Sequence, residues 1–365
     1  MSEADIPSLP GAFKRLPHDL YREDPLWIPE DAAALDRLFS PEHGFFAHGR
    51  ATVQVHDGEA RVAGFFDPGF TIEGEPVAGF GYWEGVDRLA PHRALFDEVE
   101  RWARAQGARR LYGPVDFSTH RRYRLRLNRF DDSPFPGEPY NPDYYPRLLE
   151  ALGFQVVVEY ATLATTRLYT SVIGELLLAK LPYLGRVPEG VEISRLTPEG
   201  WLERLDEVRA FVDTAFEENP GYFSLAESDF RALYGEVFAH RFCPFTSRIA
   251  LDSAGRLAAF LLAFPDYGPL VRQGNPERIP VAELRYERDY PRLAAPCFLA
   301  KTAAVRADYR RRGLLSALAT DAARASLDRY ADGMICLMHK RNPSLRYGLA
   351  IASHARQYGL FGKDL

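Results

Sequence analysis

Cysteine is scarce. The chain of 365 residues has three, Cys243, Cys297 and Cys336, widely spaced and without a Cys-x-x-Cys pair. An odd, scattered set excludes a disulfide framework and a paired-cysteine zinc site, and it suits a reducing, cytoplasmic setting. The nine histidines form no His-x-x-x-His pair, so no metal requirement is expected. Neither a Gly-x-x-x-x-Gly-Lys-Ser/Thr loop nor a Gly-x-Ser-x-Gly elbow occurs, which sets aside P-loop nucleotide chemistry and the serine-hydrolase elbow. Long apolar runs are also missing. The strongest, residues 258–264, is too short to cross a bilayer, and the start MSEADIPSLPG has neither a cationic stretch nor an apolar segment, so no membrane partner is expected. Positive charge is not in excess, the net charge being -5, which argues against a partner nucleic acid held by a globally basic surface. Lysine is rare, five against 45 basic residues in all, a bias that reads as a habit of base composition more readily than as an anion-binding surface.

What is present is enough for two cores. Hydrophobic residues make up 46% and aromatics 13%, and a chain of this length divides naturally into two modules. Apolar stretches bounded by Gly and Pro alternate with stretches of helical period, the pattern of an α/β chain with mixed sheets. In the first half, strands are expected at 51–55, 60–66 and 77–83, the first two around the turn Asp57-Gly58. A helix at 93–105, a strand at 110–115, a helix at 144–152 and a strand at 156–166 follow. The second half repeats that order. A helical region at 199–238, broken at Asn219-Pro220-Gly221, leads to strands at 247–251 and 257–264, then a Pro-rich excursion at 266–296. After it come a strand at 297–305, a helix at 313–330, a strand at 334–339, a helix at 343–353 and a closing strand at 357–362. The Pro/Gly punctuation of 182–192 marks a linker between a module at 1–181 and one at 193–365.

The chemistry concentrates in residues 302–318. A strand leads into Arg310-Arg311-Arg312-Gly313 and a helix whose apolar face is Leu314, Leu318, Ala322 and Ala325. The first turn of a helix leaves about four amides unpaired at the positive end of its dipole, where a diphosphate can sit. With Val305 and Tyr309 at their offsets, the stretch resembles motif A of the GCN5-related N-acetyltransferase (GNAT) superfamily, with Leu315 standing where that pattern has a small residue. The opening Leu16-Pro17-x-x-Leu20-Tyr21-x-x-Asp24-Pro25-x-Trp27-x-Pro29, the run from Tyr140-Asn141-Pro142 to Gly153-Phe154, and the closing Tyr358-Gly-Leu-Phe-Gly-Lys363 resemble bacterial tandem GNAT-like proteins. In the first half the run that follows the third strand, Glu84-Gly-Val-Asp-Arg-Leu-Ala-Pro91, has no Arg-x-x-Gly, so this half resembles a degenerate copy.

The resemblance implies two tandem acyl-CoA N-acyltransferase folds and a direct transfer from acetyl-CoA, or another acyl-CoA, to the amine of a small-molecule or peptide acceptor. It places the cofactor on Ala304 and Val305 (pantetheine), on Arg310, Arg311, Arg312, Gly313, Leu314, Leu315 and Ser316 (diphosphate), and on Asn342. It suggests Tyr347 as an acid for the leaving thiolate. His339, ending a strand on which Ile335, Leu337 and His339 share a face, is a candidate base or a structural histidine. Glu217 and Lys301 are candidates to face the acceptor. A second reading keeps the fold but not the catalysis: a protein that binds CoA or a partner. The run from His120 to Arg129, with five arginines, reads either as a cradle for an anionic acceptor or as a charged strand face, with Arg122, Arg124 and Arg126 on one side. Acceptor identity and oligomeric state are not legible.

Overall fold

A computed structural model describes the chain except residues 1–5, 57, 73, 167–185, 218, 220–221, 223, 343–344 and 350–351, and the side chains of 346 and 347. In the first half, alternating apolar residues and positive-φ glycines at turns build β1 (Arg50–His56), β2 (Ala60–Ile72) and β3 (Glu75–Gly85) as an antiparallel meander. Helix Leu89–Ala105 then crosses to β4 (Arg110–Gly113), which lies parallel to β3. A two-residue β5 (Leu125–Arg126), helix Tyr145–Ala151 and β6 (Gln155–Thr165) complete the half. The second half has β7 (Val191–Arg195), β8 (Arg248–Asp252), β9 (Leu257–Pro265) and β10 (Cys297–Val305), again antiparallel neighbours. Helix Leu314–Ser326 crosses to β11 (Asp332–His339), parallel to β10, and β12 (His354–Asp364) ends the chain.

All twelve strands form one sheet in the order β1-β2-β3-β4-β12-β6-β11-β10-β9-β8-β7, with β5 against β12. The closing strands are exchanged. The last strand of the chain, β12, lies between β4 and β6 of the first half, and β6 lies between β12 and β11. Strand β7 begins at Val191, inside the expected linker, of which residues 182–185 lie outside the described part.

Each crossing helix buries a stripe on the sheet. Leu95, Phe96, Val99 and Ala103 pack on Val62, Ala78, Phe80 and Leu111, while Leu314, Leu318 and Ala322 pack on Ala259, Leu261 and Ala263. The opposite face of β9 and β10 carries Phe260, Leu262, Leu299 and Ala304 under Trp201, Val208, Phe230 and Phe242. The N-terminal motif, for which no helices were expected, folds as Gly11–Leu20 and Ala32–Leu38 and clasps the halves together. Tyr21 stacks on Trp27 and donates to buried Glu84 at 2.7 Å, and Gln273 Nε2 of the Pro-rich excursion donates to the carbonyls of Tyr21 and Arg22.

Candidate acyl-transfer site

Strands β10 and β11 run parallel only from Cys297↔Asp332 to Ala300↔Ile335. Lys301 is an extra residue in the β10 ladder with β9, a bulge, and beyond it Thr302 to Val305 stay on β9 while β11 turns away to β6. The two strands open as a V. The amide of Arg306 donates to Ala258 on the β9 side, so by alternation the backbone groups of Val305 and Ala303 face the open edge. At the mouth of the V, Arg310 to Gly313 are exposed and Gly313 adopts φ +82° as N-cap of helix Leu314–Ser326. A Cβ there would meet no atom nearer than the Arg186 carbonyl at 3.9 Å, so glycine is required by conformation rather than by crowding. The amides of Leu314, Leu315 and Ser316 have no acceptor within the helix.

The arginines of the loop do different work. Arg310 is tied back by donations from Nε to the Val305 carbonyl and from Nη2 to the Ala215 carbonyl, which anchors the loop to the end of helix Leu205–Phe216. Arg312 lies over the Tyr309 ring, and Arg306 bridges Asp308 and Asp252, both at 2.8 Å. The Asp252 carboxyl is held below the usual carboxylate range, first by the Arg306 hydrogen bond.

The first half makes the same opening and fills it. Pairing of β3 with β4 stops at Gly79↔Tyr112, and Tyr82, at φ +48°, sits at an irregularity in β3. Val115 donates to the Phe80 carbonyl at 2.7 Å, and the Asp116 carboxylate accepts the Tyr82 amide at 2.7 Å. A Cβ on Gly81 would lie 2.3 Å from the Val115 carbonyl. The chain's own carboxylate therefore occupies the amide that the irregularity frees.

No family model matches the chain. Among curated proteins it is 24% identical to Protein YghO of Escherichia coli (strain K12) over 278 residues, which is 74% of this chain and 69% of that protein. Among solved structures, a tandem GNAT protein from the clavulanic acid biosynthesis pathway superposes with a TM-score of 0.52 at 14% identity, covering 97% of this chain and 94% of that one. A conserved protein of Enterococcus faecalis V583, described as a probable N-acyltransferase, superposes with a TM-score of 0.53 at 12% identity, over 97% of this chain and 69% of that one. The chain has a tandem GNAT-like fold.

Against that fold, the residues singled out in the sequence distribute as follows. Val305, Arg310, Arg311, Arg312, Gly313, Leu314, Leu315 and Ser316 gather at the V and its mouth, with Leu315 half-buried, whereas Ala304 is buried and by alternation turns its backbone to β9, so Ala303 takes its expected place at the open edge. Asn342 is exposed in the turn after β11, its amide on the His339 carbonyl. Tyr347 belongs to helix Leu345–Leu349, and its side chain lies outside the described part. Exposed Glu217 caps helix Leu205–Phe216, two residues beyond the carbonyl that Arg310 grips. His339 accepts the Arg341 amide at Nδ1, which places the ring proton on Nε2, and burial with Arg341 and Arg124 pushes its pKa down. A neutral ring so held donates at Nε2; it offers no lone pair to an ammonium without breaking that bond. The shared face expected for Ile335, Leu337 and His339 is interrupted, because Leu337 takes φ +56° and its amide turns to Thr162 Oγ1. The Lys301 ammonium donates to the Pro136 carbonyl at 3.0 Å and sits over the Phe135 ring, and burial pushes its pKa down to about 8.

Sequence reasoning missed the partners that cross between the halves. Glu138, fully enclosed, takes Arg126, Arg356 and Tyr358. His120 contacts Tyr234 Oη at 3.0 Å and lies against the ring of Tyr222, which in turn neighbours Phe216 at the end of the helix that Arg310 grips. The arginine run is no strand face. Arg122 pairs with Asp116, Glu30 and Glu84, and only Leu125–Arg126 is strand.

Proposed function

We propose that the second half transfers an acyl group from acyl-CoA, acetyl-CoA being the first candidate, directly to the amine of a small-molecule or peptide acceptor. The observation that carries this reading is the contrast between the halves: the V between β10 and β11 is open beside an exposed helix entrance, whereas its counterpart is closed by Val115 and Asp116. The residues fit the donor. The helix entrance at Gly313 to Ser316 and the exposed Arg311 and Arg312 suit a diphosphate, and the outward backbone of Ala303 and Val305 suits the amides of a pantetheine arm. The acyl–sulfur bond breaks and an acyl–nitrogen bond forms; the amine loses a proton, and the departing thiolate takes one. Backbone N–H groups freed at the Lys301 bulge supply donors where negative charge develops on the acyl oxygen. Tyr347 is the candidate acid by resemblance, although it stands nearer to Asn342 than the superfamily's tyrosine commonly does. His339 serves better as a donor than as a base, so the proton of the amine passes to water or to a group of the acceptor cleft, where Glu217 stands nearby.

The test is calorimetric titration with acetyl-CoA, followed by free-thiol release against a panel of amines. Binding together with release on at least one amine supports transfer. The Nδ1 bond of His339 favours the second reading, a CoA-binding or partner-binding protein without turnover, and binding with no release on any amine would establish it. No binding would defeat the transfer reading and the CoA-binding form of the second. Release only with a longer acyl donor or an aminoacyl donor would move the donor class, not the site.

A further inference from the structure

Five arginines are buried among the described residues, and four have a carboxylate within ion-pair distance: Arg61 on Glu30, Arg126 and Arg356 on Glu138, and Arg248 on Asp321. Arg124 has none. It is 7% exposed, its guanidinium lies in the corner formed by the perpendicular rings of Tyr123 and Tyr160 at 3.8 Å from each centroid, and its Nη2 donates to Tyr123 Oη. Nε and Nη1 are buried and make no hydrogen bond. The backbone at Arg124 is held at φ +83°, a region that side-chain-bearing residues enter at a cost, so the surrounding fold enforces the placement. A buried guanidinium without an anion is unfavourable, and the four other sites show that this chain normally supplies one.

The position of Arg124 relates it to the open strand pair. Tyr160 of β6 is the register partner of His339 on β11, and their rings meet edge to face at 5.5 Å. Arg124 therefore stands over the part of β11 that β10 has already left, on the half-buried surface shared by Tyr123, Leu337 and His339. We propose that Arg124 receives the carboxylate of the amine acceptor, which makes the acceptor class free amino acids and short peptides rather than simple alkylamines. This rests on the acyl-transfer reading for the word acceptor, but the anion site stands on its own geometry. The two rings stand at 90° to each other, so the guanidinium can lie flat on only one of them, and Nε and Nη1 are the donors left for a planar carboxylate. With His339 held neutral, one guanidinium balances one carboxylate and would leave a phosphate dianion half compensated. Burial pushes the Arg124 pKa down to about 10, still charged at neutral pH.

Two measurements test it. In the first, thiol release from acetyl-CoA is followed with pooled free L-amino acids and dipeptides against the same compounds as C-terminal amides, for wild type, Arg124→Gln and Arg124→Lys. The expected result is at least a tenfold preference in kcat/KM for the acids, lost through KM in Arg124→Gln and partly kept in Arg124→Lys, with acetyl-CoA affinity unchanged by calorimetry. Equal use of acids and amides, or an Arg124→Gln enzyme that keeps the preference, overturns the proposal. In the second, the Nε–Hε resonance of Arg124 in the full-length protein, assigned by its loss in Arg124→Gln, is followed while sodium acetate or inorganic phosphate is added. A saturable shift in acetate, weaker in phosphate, is expected. No shift in either anion, or tighter binding of phosphate, overturns the carboxylate site whether or not the protein turns over acyl-CoA. Conversely, a saturable acetate shift in a protein that fails to bind acetyl-CoA would keep the anion site and sink the transfer reading alone.

Discussion

The helix entrance at residue 313 can be tested by a pair of substitutions that separates conformation from charge. Gly313 sits at φ +82° and is exposed, with 3.9 Å of clearance to its nearest neighbour. Asn and Asp are of equal size and are the side-chain-bearing residues that best tolerate this region, so both should cost about 1 kcal/mol of stability, and cost it equally. They differ by one negative charge at the mouth of the site. At about 5 Å, with an effective dielectric between about 20 and 80 for an exposed loop, each unit charge of a bound diphosphate meets about 1–3 kcal/mol of repulsion. Two charges give about 2–6 kcal/mol, so Gly313→Asp should bind acetyl-CoA at least about 30-fold more weakly than Gly313→Asn. Calorimetry at low and at high salt reads both the gap and its screening, because the gap must shrink as ionic strength rises. Affinities within threefold of each other at low salt would refute the assignment of the diphosphate to this entrance, since conformation is matched and only charge differs.

Four further outcomes are expected. Glu138→Gln leaves Arg126 buried without its anion and Arg356 with Asp132 alone, and should cost about 3–5 kcal/mol in urea unfolding, with a loss under 1 kcal/mol counting against a shared ion cluster. Asp116→Ala leaves the Tyr82 amide unpartnered and takes one carboxylate from Arg122, which keeps Glu30; thermal unfolding should show about 1–3 kcal/mol of destabilisation with acetyl-CoA affinity unchanged. Lys301 has a folded pKa of about 8, below its unfolded value of about 10.4, so the unfolded state binds more protons between those limits and stability should rise with pH across that window. The rise should approach roughly 3 kcal/mol and vanish in Lys301→Met; a wild type and variant with parallel pH profiles from 7.5 to 10 would contradict the buried amine. Residues 1–181 and 193–365 made separately leave β4 and β11 without their exchanged neighbours, so each should aggregate alone and co-purify as a soluble pair when made together, as solubility and size-exclusion measurements would reveal.

Local order was legible where the pattern is local. Strand β10 has the bounds its apolar run predicts, and the alternation of strands with helices in both halves follows from turn residues and period. Helix Leu314–Ser326 stops four residues short of expectation, because nothing in the sequence from Leu327 to Tyr330 signals an end before Gly333. Long-range choices were not legible. The exchange of β6 and β12 depends on which edge each strand meets, and period-two patterns carry no partner identity. The same limit explains the arginine run. Arg122 and Arg126 looked solvent-bound because their carboxylates, Glu30, Glu84 and Glu138, stand twelve to ninety-two residues away, so the burial of these guanidinium groups is visible only after folding. The turn of Leu337 out of the strand face is likewise silent, since Leu-Met reads as apolar in either register.

The two halves show how one architecture yields one open and one closed strand pair. Both have a parallel strand pair that separates after three or four residues, a glycine-rich third strand or a bulged one, and a crossing helix on the same face. What differs is the connection that follows. After β10 the chain spends Arg306 to Gly313 in a turn whose arginines bind neighbouring carbonyls, rings and acids, and the first helix amides keep no acceptor within the helix. After β3 it enters helix Leu89–Ala105 with no such turn, and the segment after β4 folds back so that Val115 and Asp116 satisfy the strand from within. A split strand pair must have its freed backbone groups satisfied by protein, water or ligand. The first half satisfies them itself and gains rigidity, and the loop that does so continues directly into His120, Tyr123 and Arg124, the side chains that reach toward the second half. On the proposed acyl-transfer reading the closed copy would supply the far wall of the acceptor cleft of the open one, and loosening Asp116 should disturb acceptor KM before it disturbs the donor.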